Sequence, residues 1–384
     1  MMTGDRKETA EHVAQSIGLL RGGGASNAHL VITSSQLAVM TDDQIKVSRS
    51  QILFFALTFS KERLPTLSVI ARARPTDKSR LVRLGQEMGL VVGMTGDGVN
   101  DAIALKHADV GFAMGSGAEV AKEAADVVIL DDNIASIMSS CKYGRTIYKS
   151  IQKFITFQST VNLASGVLTL VGPFLQLDFA LTLVQLLWVN LVMDTLAALA
   201  FGGEPALRRT MSERPIPRNA HIITPLMWTG ILWNGICVAL LCLLFLTYDP
   251  IQYSLFSRVV PGHRDDIVFL TAFFGFFIFS TVFAGFSLRA PDTLNVGDHL
   301  LQNKGYLVVT VVIFAVQISF SSFFGSVLRT VALTFGEWLT VILMASVLVP
   351  LDMVRKLIAF HVLELTAASS SSSSPASHES HKNK

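Results

Sequence analysis

The pattern of polar and apolar positions changes once along the chain, near Lys153. Before that point charged residues recur every few positions and glycines break up short apolar runs. After it come long stretches without any charge: 154–177, 222–248, 267–288 and 305–328. Two further apolar stretches hold one carboxylate each, 179–201 with Asp194 and 331–351 with Glu337. About 20 apolar residues of helix cross a hydrocarbon core, so six membrane spans are expected.

The first half alternates differently. Apolar runs at 67–71, 90–94, 110–113 and 127–130 read as buried strands, and 76–88 and 99–107 read as helices between them. Alternating strands and helices joined by short glycine turns predict a parallel sheet covered on both faces. Ligands of such sheets sit beyond the carboxyl ends of the strands. The expected organisation is an α/β part over 1–150, a bundle of six transmembrane helices over 151–355 and a serine-rich, disordered cytosolic tail over 356–384. The tail ends on His378, Glu379, Ser380 and His381, read as solvated chain and not as a metal site.

Charge in the connectors sets the orientation. Arg208, Arg209, Arg214 and Arg218 lie between spans two and three, Arg289 and Lys304 flank the connector between four and five, and Arg355 and Lys356 follow span six. The alternate connectors hold Asp178, then Arg258 and Arg264 diluted by three Asp, then Arg329. Short Lys/Arg-rich loops stay in the cytoplasm, so both termini are expected there. No signal peptide precedes the first half, and the first span is expected to direct insertion.

Composition narrows the class. Of 384 residues 51% are hydrophobic and 16% charged, where soluble domains carry about 25% charged residues. That excludes a disordered chain, a collagen-like fibre and a wholly soluble enzyme. A net charge of +2, from 31 basic and 29 acidic residues, points to no nucleic-acid partner. Three cysteines without paired spacing give neither a disulfide framework nor a zinc site.

The densest chemistry is Met94-Thr95-Gly96-Asp97-Gly98-Val99-Asn100-Asp101, where an apolar strand ends and a helix begins. Asp97 and Asp101 are one helical turn apart and can face one point. Paired hard oxygens at a helix start suit a Mg²⁺ that keeps waters and a phosphate in its shell, and Gly96 and Gly98 allow close approach. Thr3-Gly4-Asp5 precedes the amphipathic stretch 8–20 and reads as a helix cap or a phosphate contact. Ala71-Arg72-Ala73-Arg74-Pro75-Thr76-Asp77-Lys78 again follows a strand; Lys78 offers a phosphate a point charge and Arg72 reaches toward a nucleotide.

Together these segments resemble the C-terminal portion of P-type cation-transporting ATPases, whose phosphorylation domain is of the haloacid-dehalogenase type. The likeness continues through Ala108-Asp109-Val110-Gly111-Phe112-Ala113-Met114-Gly115 and Asp131-Asp132-Asn133. Within that family it is nearest to the plasma-membrane-type calcium pumps, since Leu187-Trp188-Val189-Asn190-Leu191-Val192-Met193-Asp194-Thr195-Leu196 resembles their sixth membrane helix. The resemblance implies an ATP-driven calcium transporter working through an aspartyl phosphate. It implies that Asp97 holds catalytic Mg²⁺ with Asp101 in support, that Thr3 binds the transferred phosphoryl group, and that Lys78 neutralises its charge. Gly4, Asp5, Arg72 and Asn100 then belong to the ATP and phosphate site.

An ionised Asp in mid-span is a functional residue by default. Asp194 has Asn190 one turn before it, and Asn162 is the polar member of span one. Carboxylate and carboxamide oxygens in a dry cavity suit Ca²⁺; the bland alternative is a hydrogen-bond cluster that glues helices together. By resemblance Asn190 and Asp194, with Asn162, are ligands of the transported Ca²⁺. Ser165 stands where two-site calcium pumps place a glutamate, which points to one Ca²⁺ per cycle. Thr281 and Gly285 depart from the carboxamide and acid usual in that branch. The segment 353–365 has only Arg355, Lys356 and His361 as basic residues, so no calmodulin site is expected. A helix over 133–171 is expected to act as a rigid stalk joining the two sites.

The chain contains no Asp-Lys-Thr-Gly-Thr, and no Asp has Thr or Asp two positions later. The nucleophilic Asp, the actuator loop, the nucleotide domain and the first four membrane helices are absent from it, and covalent catalysis without a nucleophile does not proceed. The chain is therefore expected to be a fragment, inactive alone, with the missing N-terminal half as its partner. The alternatives are a non-catalytic pump-derived membrane protein, or a pump for Mn²⁺, Na⁺ or K⁺. Cys237 and Cys242 lie five apart without a thiolate partner in the bilayer, which disfavours a heavy-metal pump. Plasma membrane and intracellular store membranes fit equally.

Overall fold

The computed structural model describes residues 1–17, 19–20, 31–43, 45, 68–175, 181–213, 216–248, 250–251, 266–291, 293–295, 297 and 300–372. Leu67, Asp178, Arg214, Arg258, Arg264 and the end of the tail from residue 373 lie outside them. The chain forms two compact units, one of residues 1–141 with 212–220, the other of 142–211 with 221–384. The division falls at Cys141, ahead of the expected boundary at 150.

The first unit is built from α1 (Lys7–Ser16), β1 (Val31–Thr33), α2 (Ser34–Val39), β2 (Val69–Ala71), α3 (Pro75–Glu87), β3 (Gly93–Gly96), α4 (Ala102–His107), β4 (Val110–Met114), α5 (Glu119–Ala124) and β5 (Val127–Ile129). All its strand pairs are parallel, as expected, but they form two sheets, β1–β2 and β3–β4–β5. The strands do not coincide with the apolar runs that announce them: β5 stops at Ile129, β3 begins only at Gly93, and β4 runs one residue past its apolar run to Met114. The first residues extend the small sheet, because Ile70 donates to the Met1 carbonyl (2.9 Å) and the Thr3 amide to the Ile70 carbonyl (3.0 Å). Under it lie Ala10, Ala14, Leu20, Val31, Val69 and Ala71; alanines on the inner face of α1 let helix and sheet approach closely. Asp109 and Asp126 accept from the Val92 and Gly111 amides at 2.8 Å, fixing where β3 and β4 begin.

Among the described residues five helices are long and apolar enough to cross a membrane, the first of them beginning in the first unit and the other four lying in the second: 134–175, 183–202, Pro225–Thr247, Ile267–Arg289 and Lys304–Phe323. The first is α6 (Ile134–Val171) with a 3₁₀ turn added; it runs unbroken through the stretch expected as a stalk. The second comprises α7 (Leu183–Trp188), a π-helical turn at Val189–Met193, and α8 (Asp194–Gly202). The others are α9 (Pro225–Thr247), α10 (Ile267–Arg289) and α11 (Lys304–Phe323).

The sixth expected span is not one helix. It divides into α12 (Phe335–Ala345) and α13 (Leu348–Ser372). Pro350 explains the break: in a continuous helix its ring would clash with the Ser346 carbonyl, whereas the first turn of a new helix tolerates it. Because α13 continues to Ser372, residues 356–372 of the expected disordered tail are helical.

α10 is apolar all round and correspondingly buried: Phe269, Phe273, Phe274, Phe276, Phe277 and Phe279 are each at most 2% exposed. Two departures noted in the sequence are packing features of this helix. Gly285 faces Phe157, whose ring would lie 3.3 Å from an added Cβ, and the Thr281 hydroxyl donates back to the Ile278 carbonyl at 2.7 Å. At the end of α10 a buried ionic cluster joins three helices. Asp352, fully buried, accepts from Arg355 Nε (2.6 Å), Asn234 Nδ2 (2.7 Å) and the Ser287 hydroxyl, while Lys356 donates to the Ser287 and Ala290 carbonyls at 2.9 Å. A lysine on the last carbonyls of a helix also meets the negative end of its dipole. The two basic residues of the expected cytosolic flank are thus internal.

Candidate functional site

In the first unit the predicted residues gather at the carboxyl ends of β2 and β3. After β2 the backbone turns through Arg72, whose φ of +51° is left-handed. There Arg72 donates to the Asp5 carbonyl (3.0 Å) and Ala73 to the Thr3 carbonyl (2.9 Å), which brings Thr3-Gly4-Asp5 beside Arg72. The Thr3 hydroxyl donates to Asp5 Oδ2 at 2.7 Å. It does not cap α1, whose N-cap is Arg6 without a side-chain bond. Thr3 and Asp5 therefore brace their own turn.

After β3 the chain passes Asp97 and enters a 3₁₀ turn, Val99–Asp101, before α4. Lys78, near the start of α3, donates to Asp101 Oδ1, and these side chains are 15% and 8% exposed. Gly96 is required by that arrangement: a Cβ there would lie 2.5 Å from Asp101 Cβ. The close approach the glycine allows is made by Asp101 itself. Asp97 and Asn100 are exposed, and Asp97 accepts through its backbone carbonyl from the Ala118 amide at 2.8 Å. The two carboxylates thus have different surroundings. Asp97 is exposed, while Asp101 is committed to the Lys78 ammonium.

One contributor was not singled out in the sequence. Asp132, at φ +51°, accepts from the Ser116 amide at 3.1 Å and so anchors the loop that bonds Asp97. The Ser116 amide is also what holds the Asp132 carboxyl below the usual carboxylate range. The clue was present in the run Asp131-Asp132-Asn133, since a short side chain that tolerates the left-handed region suits such a turn.

In the second unit Asp194 begins α8, directly after the π turn that includes Asn190. Single π turns inside helices occur frequently at functional sites. Gln158 of α6 donates to Asp194 Oδ2 at 2.6 Å, and Asp194 Oδ1 and Gln158 Oε1 are buried without a hydrogen-bond partner. An unsatisfied buried polar group costs about 1–3 kcal/mol. Asn162, expected to face Asn190 and Asp194, is exposed, as is Asn190. The residue that meets Asp194 is Gln158, one turn earlier on α6. Among the described residues no three His, Cys, Asp or Glu side chains cluster as a metal centre.

Residues 178–358 match the family described as cation transporting ATPase, C-terminus, and 91–139 match the haloacid dehalogenase-like hydrolases. The calcium-transporting ATPase 8, plasma membrane-type, of Arabidopsis thaliana is 36% identical over 360 residues, covering 93% of this chain and 32% of the relative. The calcium-transporting ATPase 5, plasma membrane-type, of Oryza sativa subsp. japonica is 35% identical over 359 residues, covering 93% and 31%. Along most of its length the chain matches the C-terminal portion of P-type cation-transporting ATPases. It spans about a third of the length of the curated relatives it matches. The haloacid dehalogenase-like match covers Asp97, Asn100, Asp101 and the Asp132 loop, and the C-terminal match covers Asn190 and Asp194.

Proposed function

We propose that this chain is the ion-translocating and part of the phosphorylation machinery of a calcium pump that hydrolyses ATP through an aspartyl phosphate. The observation that carries the reading is the coexistence, in one chain, of an exposed Asp at the end of a parallel sheet and an unsatisfied Asp within a membrane helix.

In the first unit Asp97 would hold Mg²⁺, which when bound lowers the cost of charge on a transferring phosphoryl group. Asp101 supports Asp97 by keeping Lys78 in place. Lys78 supplies positive charge to the phosphoryl group, and Thr3, with Gly4 and Asp5, lines its position. Arg72 and Asn100 stand at the edge of the site, suited to a nucleotide. In the second unit Asn162, Asn190 and Asp194 are the ligand candidates for Ca²⁺. Exposed Asn162 and Asn190 fit that role where further membrane helices of a whole pump close over them. The orientation is multi-pass with both termini cytosolic, and the N-terminal half of a pump, carrying the nucleophilic Asp, is the partner the chain needs.

The test replaces the matching third of a full-length plasma-membrane-type calcium pump with this chain and measures ATP-driven ⁴⁵Ca²⁺ uptake into vesicles. Uptake is expected, and Asp194→Asn is expected to abolish it. Uptake that survives Asp194→Asn contradicts the assignment of the ion site.

A further inference from the structure

Gln158 lies in a span without charge and takes no part in the site as read from the sequence. Its Nε2 donates to Asp194 Oδ2 at 2.6 Å. Its own Oε1 is buried and unpartnered, and so is Asp194 Oδ1. The two groups joined by one hydrogen bond therefore present two unsatisfied oxygens on different membrane-length helices. Native structures leave few buried acceptors without a donor, and each instance asks for an explanation. Helix glue does not supply one. Asn234 also leaves its Oδ1 unpartnered while its Nδ2 bonds Asp352, but there both carboxylate oxygens of Asp352 are satisfied, by Asn234, Arg355 and Ser287; at Gln158 the carboxamide oxygen and the carboxylate it holds are both left open. Thr160 and Thr156, the other buried polar groups on this stretch of α6, are satisfied by carbonyls one turn back, at 2.8 Å each.

We infer that Gln158 is a ligand of the transported cation, its amide oxygen and Asp194 Oδ1 together taking a divalent, oxygen-preferring ion. Ca²⁺ accepts carboxamide and carboxylate oxygens in irregular shells, and an adjacent amide N–H bond holds the carboxylate while leaving one oxygen free. This places the α6 contribution one turn from Asn162. It rests on the calcium-pump reading of Asp194.

The experiment measures equilibrium ⁴⁵Ca²⁺ binding to the full-length chimera bearing this chain in lipid nanodiscs, with Mg²⁺ as competitor, for the unaltered chain, Asp194→Asn, Gln158→Leu and Gln158→Glu. Gln158→Leu removes oxygen and N–H together and is expected to weaken Ca²⁺ binding at least tenfold. Gln158→Glu keeps an oxygen but loses the donor to Asp194; a ligand role predicts Ca²⁺ binding at least as tight as in the unaltered chain. Equal losses in the two variants would show Gln158 to be only a brace for Asp194, and unchanged binding in Gln158→Leu would exclude any role. Either result overturns the inference while sparing Asp194, provided Asp194→Asn abolishes binding. Binding indifferent to Asp194→Asn overturns the ion-site reading and this inference with it.

Discussion

Lys78 and Asp101 form a pair whose removal has a calculable cost. Asp101→Ala takes away the carboxylate and leaves an ammonium whose side chain is 15% exposed. Breaking a fully buried ion pair from one side costs about 3–5 kcal/mol; allowing for the solvent that reaches Lys78, about 3 kcal/mol is expected. Every 1.4 kcal/mol is tenfold in an equilibrium, so local opening around α3 and α4 becomes about a hundredfold more frequent. Gly96→Ala perturbs the same pair without touching a charge, since its Cβ would lie 2.5 Å from Asp101 Cβ and 2.9 Å from Oδ2. Overpacking of this size costs about 1–3 kcal/mol, or roughly five- to 150-fold. Amide hydrogen exchange of the reconstituted chain, read by mass spectrometry on peptides covering α3, β3 and α4, measures both. Acceleration confined to these peptides and ordered Asp101→Ala above Gly96→Ala is the expected result. Exchange in Asp101→Ala indistinguishable from the unaltered chain would show that the ion pair does not hold the site together.

Three further outcomes follow from the geometry. Asp352→Ala strands Arg355 and Lys356, 5% and 1% exposed, and is expected to destabilise the bundle by about 3–5 kcal/mol, with Lys356→Met partly restoring it; thiol labelling of buried Cys242 during heating reads this. Gly275→Val would drive its Cβ to 2.6 Å from Trp338 Cζ3 and separate α10 from α12, lowering the labelling midpoint, whereas Gly166→Ala, with open space around it, leaves it unchanged. The depressed Asp132 carboxyl stabilises its loop fully above the ordinary carboxylate pKa and loses that contribution as pH falls through its lower folded value. The Ser116 amide, corrected for intrinsic exchange, is therefore expected to lose protection only below about pH 4, and Asp132→Asn to flatten the profile.

Long-period features were plain in the sequence and short-range ones were not. Five of the six charge-free or nearly charge-free stretches became single membrane-length helices because composition over 20 residues decides burial in lipid. The sixth is broken near Pro350 into two helices. Strand β1 and helix α2, at three and six residues, are too short for periodicity to register. The cytosolic motif could be placed at a strand end from its glycines and acids, yet which acid is exposed depends on Lys78, 23 positions away. In the membrane, helical spacing puts Gln158 and Asn162 on nearly one face of α6. Only the packing of α8 against it selects Gln158.

The central claim is that Asp97 and Asp194 serve one cycle, the first at the phosphoryl group and the second at the ion. The most direct measurement is Ca²⁺-dependent phosphoenzyme formation from [γ-³²P]ATP in the full-length chimera bearing this chain. Phosphoenzyme that requires Ca²⁺, vanishes in Asp97→Asn and no longer forms at any Ca²⁺ concentration in Asp194→Asn is the predicted result. Unchanged Ca²⁺-dependent phosphorylation with either Asp neutralised would contradict the account.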